Sequence, residues 1–170
     1  MTTHVSPLRF KLQRLFREFP SEGSECVEDW LVDVANARRA RIVTRGDGNE
    51  TFVAPSLELL SNEELVAGIC QLQCLDRPQM LRLACQLISR HSIRGNELRL
   101  LAKRERIETV LGQLARQALR VEPNHDLWRF LAESFPCPAK VRSPILHWTR
   151  LATPVMERGR CNASSWKLAT

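Results

Sequence analysis

Four helical periods between Ser61 and Phe135 constrain this chain more than any other feature. Apolar residues recur there at spacings of three and four, and residues that cap or break helices punctuate the runs. Ser61 followed by Glu64 spells a capping box, in which the hydroxyl accepts an orphan amide and the carboxylate reaches back. Leu65, Ile69 and Leu72 then share a face, flanked by Val66 and Cys70. Asp76, Pro78 and Gln79 predict a second start, with Leu81, Ala84, Leu87 and Ile88 as its buried stripe. Gly95 and Asn96 separate that helix from the next, which reads as one run with its strongest section at Ile107, Val110, Leu111, Leu114, Ala115, Ala118 and Leu119. Pro123 and Asn124 interrupt again, and Leu127, Trp128, Leu131 and Phe135 complete a short helix ahead of Pro136. Connections this short make sequential helices antiparallel neighbours. The expected fold is mainly α, an antiparallel helical array or bundle.

Upstream, residues 7 to 19 place Leu8, Leu12, Leu15, Phe16 and Phe19 on one face opposite Arg9, Arg14 and Arg17, an amphipathic helix expected to pack on its own domain. Glu25 to Arg38 reads as a second helix, acidic first and basic last as the helix dipole prefers, with Val27, Trp30, Leu31, Val34 and Ala35 facing inward. Between 41 and 54 the pattern changes. Ile42-Val43-Thr44 and Thr51-Phe52-Val53 flank Gly46-Asp47-Gly48-Asn49, which predicts one small β-hairpin. Beyond Pro136 the prolines 138, 144 and 154 forbid a long helix. Residues 1–156 are expected to form a single globular domain, with 157–170 as a mobile basic tail.

The formal charge of +6 divides unevenly. Residues 1–60 carry 8 basic and 9 acidic side chains, 61–135 carry 11 and 9, and 136–170 carry 6 and 1, so the excess sits at the C-terminus. A near-neutral body argues against a whole face built for phosphate. No stretch approaches the ~18 apolar residues of a membrane span, and Met1 to Pro20 lacks a signal-peptide apolar centre, so no membrane span and a cytoplasmic location are expected.

Chemistry-bearing constellations are sparse. His4, His91, His125 and His147 each stand apart from any candidate nucleophile. Glu63-Glu64 reads as part of a cap and Glu105 with Glu108 as a charged helix face, rather than as acid/base pairs. Cys70, Cys74, Cys85 and His91 form an imaginable tripod with a fourth ligand, but the closely spaced pairs of a zinc site are missing, and cysteines on apolar faces more often simply pack. The Gly46–Gly48 loop precedes Glu50-Thr51-Phe52, where a phosphate loop needs Lys and Ser or Thr opening a helix. No catalytic, cofactor or metal site is therefore assigned.

Two surfaces stand out as candidates. Arg90, Arg94, Arg99, Lys103, Arg104 and Arg106 form the densest basic cluster, a candidate polyanion contact. As a DNA-binding helix-turn-helix the segment fits poorly, because Arg106 stands where the tight turn normally carries Gly and no capping residue opens a recognition helix. The second surface runs through Ala118, Pro123, Trp128, Leu131, Ala132 and Phe135. These resemble, in register, the junction between two tetratricopeptide repeats: a small residue late in one helix, Pro at the turn, then Trp, Leu, a small residue and an aromatic along the next. The resemblance covers about eighteen residues; one ~34-residue period upstream, Arg94 and Glu97 occupy the Trp and Leu positions. It implies helical-hairpin packing and a peptide-binding role. The leading expectation is thus a non-catalytic protein–protein interaction module with an unknown protein partner. Nucleic-acid binding through residues 90–106 and the tail is the alternative, and an enzyme the third.

Overall fold

The computed structural model describes residues 6–40, 52–71, 78–120 and 122–135. Seven helices occupy them: α1 (Pro7–Glu18), α2 (Val27–Ala37), α3 (Asn62–Ile69), α4 (Pro78–Arg90), α5 (Gly95–Glu105), α6 (Glu108–Leu119) and α7 (Asp126–Ser134). The mainly α expectation holds. Of the hairpin expected over 41–54, residues 41–51 lie outside the described residues. Phe52, Val53 and Ala54 form no strand: Phe52 packs against the core and Val53 is 74% exposed. Asp76, Cys74, everything from 136 onward and therefore the tail also lie outside the described residues.

α3 sits at the centre and touches α1, α2, α4 and α5. Its box forms as the sequence spells it, Glu64 N–H donating to Ser61 Oγ at 3.1 Å and Ser61 N–H to Glu64 Oε2 at 3.0 Å. Every residue from Leu65 to Gln71 is buried, so α3 and the equally enclosed stretch Leu83–Ile88 of α4 form the middle of one continuous apolar cluster. α1 closes over α3 at Gly68, where a Cβ would stand 2.7 Å from Leu12 Cδ1. α2 contributes Trp30, Leu31, Val34 and Ala35, with Trp30 Nε1 donating to the Phe19 carbonyl at 2.7 Å. α6 and α7 run antiparallel: Gly112 and Arg116 lie against Phe135 and Ala132, while Trp128 sits near the turn and donates to Glu122 at 2.8 Å.

The third period of the helical block, read from the sequence as one run, is two helices. Arg106 adopts the left-handed conformation (φ 59°, ψ 42°) and divides α5 from α6. Its amide reaches the Lys103 carbonyl at 3.4 Å, and the amide of the buried Ile107 reaches the Ala102 carbonyl at 2.9 Å. That pair of bonds is a Schellman motif with Arg at the position glycine usually takes. α2 ends the same way: Arg39 (φ 62°) donates to Asn36 at 2.8 Å, and buried Ala40 to Ala35 at 2.9 Å. In both cases the buried residue after the arginine anchors the motif, and its burial offsets the ~1–2 kcal/mol cost of the left-handed conformation.

This packing fixes the effect of four substitutions on stability. Arg106→Gly is expected to leave the unfolding free energy unchanged or raise it by up to about 1 kcal/mol in urea titration, whereas a glycine in a continuous helix interior loses about 1 kcal/mol. Gly112→Ala is expected to cost ~1–3 kcal/mol although alanine is the better helix former, because its Cβ would meet Phe135 Cβ at 2.9 Å. Leu111→Ala and Leu114→Ala at these buried sites are each expected to cost ~2–5 kcal/mol in the same titration.

Candidate functional site

The basic cluster is dispersed into separate tasks. Arg94 stands before α5 and turns to α3, where Glu63 Oε1 accepts its backbone amide at 2.7 Å and its Nε at 3.3 Å, while its Nη1 meets Glu97 at 2.5 Å. Arg104 pairs with Glu105 at 2.9 Å. Arg99 lies over the Phe130 ring, 5.8 Å from its centroid, within cation–π range. Arg90 donates to the Arg39 carbonyl at 3.0 Å. Lys103 and Arg106 remain exposed at the end of α5, and the helix break sets Arg106 apart from the face that Arg99 and Lys103 share on α5.

Two of the carboxylates, Glu63 beside the cap and Glu105 on the expected charged face, have enclosed side chains. Glu63 is 3% exposed. Desolvation pulls its carboxyl up, but the Arg94 amide, the helix's own amide, the Arg94 guanidinium and the Ser61 hydroxyl outweigh it and hold the group below its ordinary 4.5. The Glu105 side chain is enclosed and accepts from Ser6, Gln71 and Arg104, joining the start of α1, the end of α3 and the end of α5. Apolar spacing does not reveal such acids, because their distant partners, Arg94 for Glu63 and Ser6 and Gln71 for Glu105, meet them only in the folded chain.

The repeat-like residues occupy the α6–α7 hairpin. Ala118, Trp128, Leu131 and Phe135 are buried, Ala132 is half-buried and Pro123 is exposed in the turn. Glu122 accepts from both Trp128 Nε1 and Ser89 Oγ, the latter at 3.0 Å, and so pins the hairpin to α4. The two described histidines have structural tasks. His91 Nε2 donates to the Arg38 carbonyl at 2.6 Å, and His125 Nδ1 accepts the Trp128 amide at 3.3 Å as the cap of α7. Burial, with Glu122 nearby, pushes the Cys85 thiol up to about 12, which keeps it protonated. Among the described residues no group of three or more His, Cys, Asp or Glu is placed to hold a metal ion.

One concavity was not legible from spacing. A groove of about 330 Å³ opens between α1, α2 and α3. Phe16 and Val27 provide its accessible apolar surface, above the buried Leu12 and Leu31; Arg9 and Arg17 stand along α1, Glu28 on α2. Gly68 on α3 also lines it, and the missing side chain there lets Leu12 lie down onto α3. Cys26, the residue before α2, donates its Sγ–H to Asp29 at 3.2 Å, and burial pushes its thiol above the ordinary value despite the Asp29 amide. The thiol is thus a lining group rather than a ready thiolate.

Compared with protein-family models, with curated proteins and with solved structures, the chain matches none. No helix among the described residues is long and apolar enough to cross a membrane.

The lowered Glu63 carboxyl ties stability to pH in a fixed direction. Its contribution is complete above the ordinary value of 4.5 and is lost as pH falls through the lower folded-state value. The melting temperature of Glu63→Gln is therefore expected to fall less steeply than that of the wild type on acidification below about pH 4.5, and to be lower than wild type at neutral pH.

Proposed function

We propose that this chain is a non-catalytic helical module that binds another protein. The observation that carries the reading is the groove between α1, α2 and α3, an apolar floor beside two arginines that pair with no carboxylate among the described residues. Several of the other polar groups in the described body are spent on joining helices: Glu63 to Arg94, Glu105 to Ser6 and Gln71, Glu64 to Lys11, and Arg38 to Asn62 and two carbonyls of the segment before α3. A surface left open on a body so internally connected is the natural place for a ligand. The resemblance of Ala118, Pro123, Trp128, Leu131, Ala132 and Phe135 to a tetratricopeptide-repeat junction supports the same class of function, since those repeats present helical hairpins to peptides.

The alternative, nucleic-acid binding through residues 90–106 and the C-terminal basic segment, predicts a different salt response. Neutralising Z phosphates makes log affinity fall with log salt at a slope near −0.9Z. Titrating the full chain with mixed-sequence duplex DNA and with RNA is expected to give no binding, or binding with a slope shallower than about −2. A slope steeper than about −4 that relaxes in Lys103→Ala/Arg106→Ala would replace the protein-binding reading with the nucleic-acid one.

A further inference from the structure

We propose that the α1–α2–α3 groove receives an acidic amphipathic helix of the partner protein, its apolar side chains seated on Phe16 and Val27 and its carboxylates meeting Arg9 and Arg17. The proposal rests on the protein-binding reading and names the chemistry of that partner.

Three observations select this occupant. The first is charge. Arg14 pairs with Glu18 and Lys11 with Glu64, so α1's remaining cations are Arg9 and Arg17, both exposed, both lining the groove and neither paired with a carboxylate among the described residues. Lone guanidiniums beside an apolar floor favour an incoming carboxylate that accepts two parallel hydrogen bonds. The second is spacing. Arg9 and Arg17 are eight residues apart on one helix, about 12 Å along its axis. On a helix laid alongside α1, acidic residues seven or eight positions apart recur on one face at the same interval, with apolar anchors between them. The third is the Glu28 carboxylate across the groove. A uniformly anionic polymer is repelled there, while a peptide can place a neutral or basic residue opposite it. The groove volume of about 330 Å³ lies at the small end of the pocket range, suited to a few anchoring side chains rather than to a large cofactor.

The test uses the full-length chain and a displayed library of helical peptides about eighteen residues long, built from Ala, Leu, Gln, Glu and Lys, long enough to hold a helical face. Selected peptides are then made with a fluorescent label and titrated by anisotropy. The expected winners carry Leu at helical spacing with Glu seven or eight positions apart. Arg9→Glu/Arg17→Glu should weaken them at least tenfold, and the same variant should gain affinity for the peptide whose Glu are changed to Lys. Phe16→Ala should also weaken binding, while Lys103→Ala/Arg106→Ala should bind like the wild type. Both arginines are exposed, and an unchanged melting curve for the double variant separates lost binding from lost fold. Winners that lack acidic residues, or whose affinity ignores Arg9→Glu/Arg17→Glu, overturn this inference and leave the protein-binding reading standing. A library that yields no binder overturns both.

Discussion

The fold depends on enclosing α3. Eight residues are too few to hold a helix in water, so this one exists because neighbours cover it on every side. Enclosure makes its polar ends expensive. Glu63 at the start and Gln71 just past the end are both buried, and an unsatisfied group at either place costs several times what a surface polar group costs. Arg94 answers the first from the lead into α5. Ser6 and Glu105 answer the second from the start of α1 and the end of α5. The same contacts that satisfy α3 thus fix where α1 and α5 lie. Packing supplies the attraction and the buried polar groups choose the register.

Arginine does much of the joining. Arg39 and Arg106 close helices in left-handed conformations, and the Arg39 carbonyl accepts Arg90 while the neighbouring Arg38 carbonyl accepts His91, so the ends of α2 and α4 are tied. Arg38 itself turns inward to Asn62 and to the carbonyls of Pro55 and Leu60; burial lowers its pKa, with Glu64 opposing the shift. Arg116 spans from α6 to the carbonyls of Ala132 and Phe135 at the end of α7. A guanidinium suits these roles because its fixed fork reaches several oxygens at once. Among the described residues, Arg38, Arg90, Arg94 and Arg116 thus serve as internal fastenings.

Much of the helical order was legible because apolar period and caps agree: the Ser61 box, the stripe Leu81, Ala84, Leu87 and Ile88, and the inward face of α2 all stand where the spacing puts them. The α5–α6 break was not, since the reading sought Gly at the turn, whereas the deciding feature is Ile107, whose burial just past the turn draws Arg106 into the left-handed region. The burial of Glu105, which spacing puts on a charged helix face, and of Glu63 beside the cap was hidden for a related reason. Helical spacing assigns a residue to a face but cannot say that another helix covers that face. The groove was hidden too, because Arg9 and Arg17 share no linear motif with Val27, Leu31 and Gly68 and meet them only through the packing of three helices.

The two basic surfaces differ in what a ligand must undo. An anion that recruits Arg94 or Arg104 on the α5 side competes with Glu63 and Glu105, carboxylates that are themselves buried. Drawing either guanidinium away takes a charged partner from a buried carboxylate, although Glu63 keeps the Arg94 amide and Glu105 keeps Ser6 and Gln71. Arg9 and Arg17 make no ion pair among the described residues, and Phe16 and Val27 lie beside them. Among the described residues, the pairing that stabilises the fold commits Arg94 and Arg104 to carboxylates and leaves Arg9 and Arg17 on α1, like Lys103 and Arg106 at the end of α5, without one.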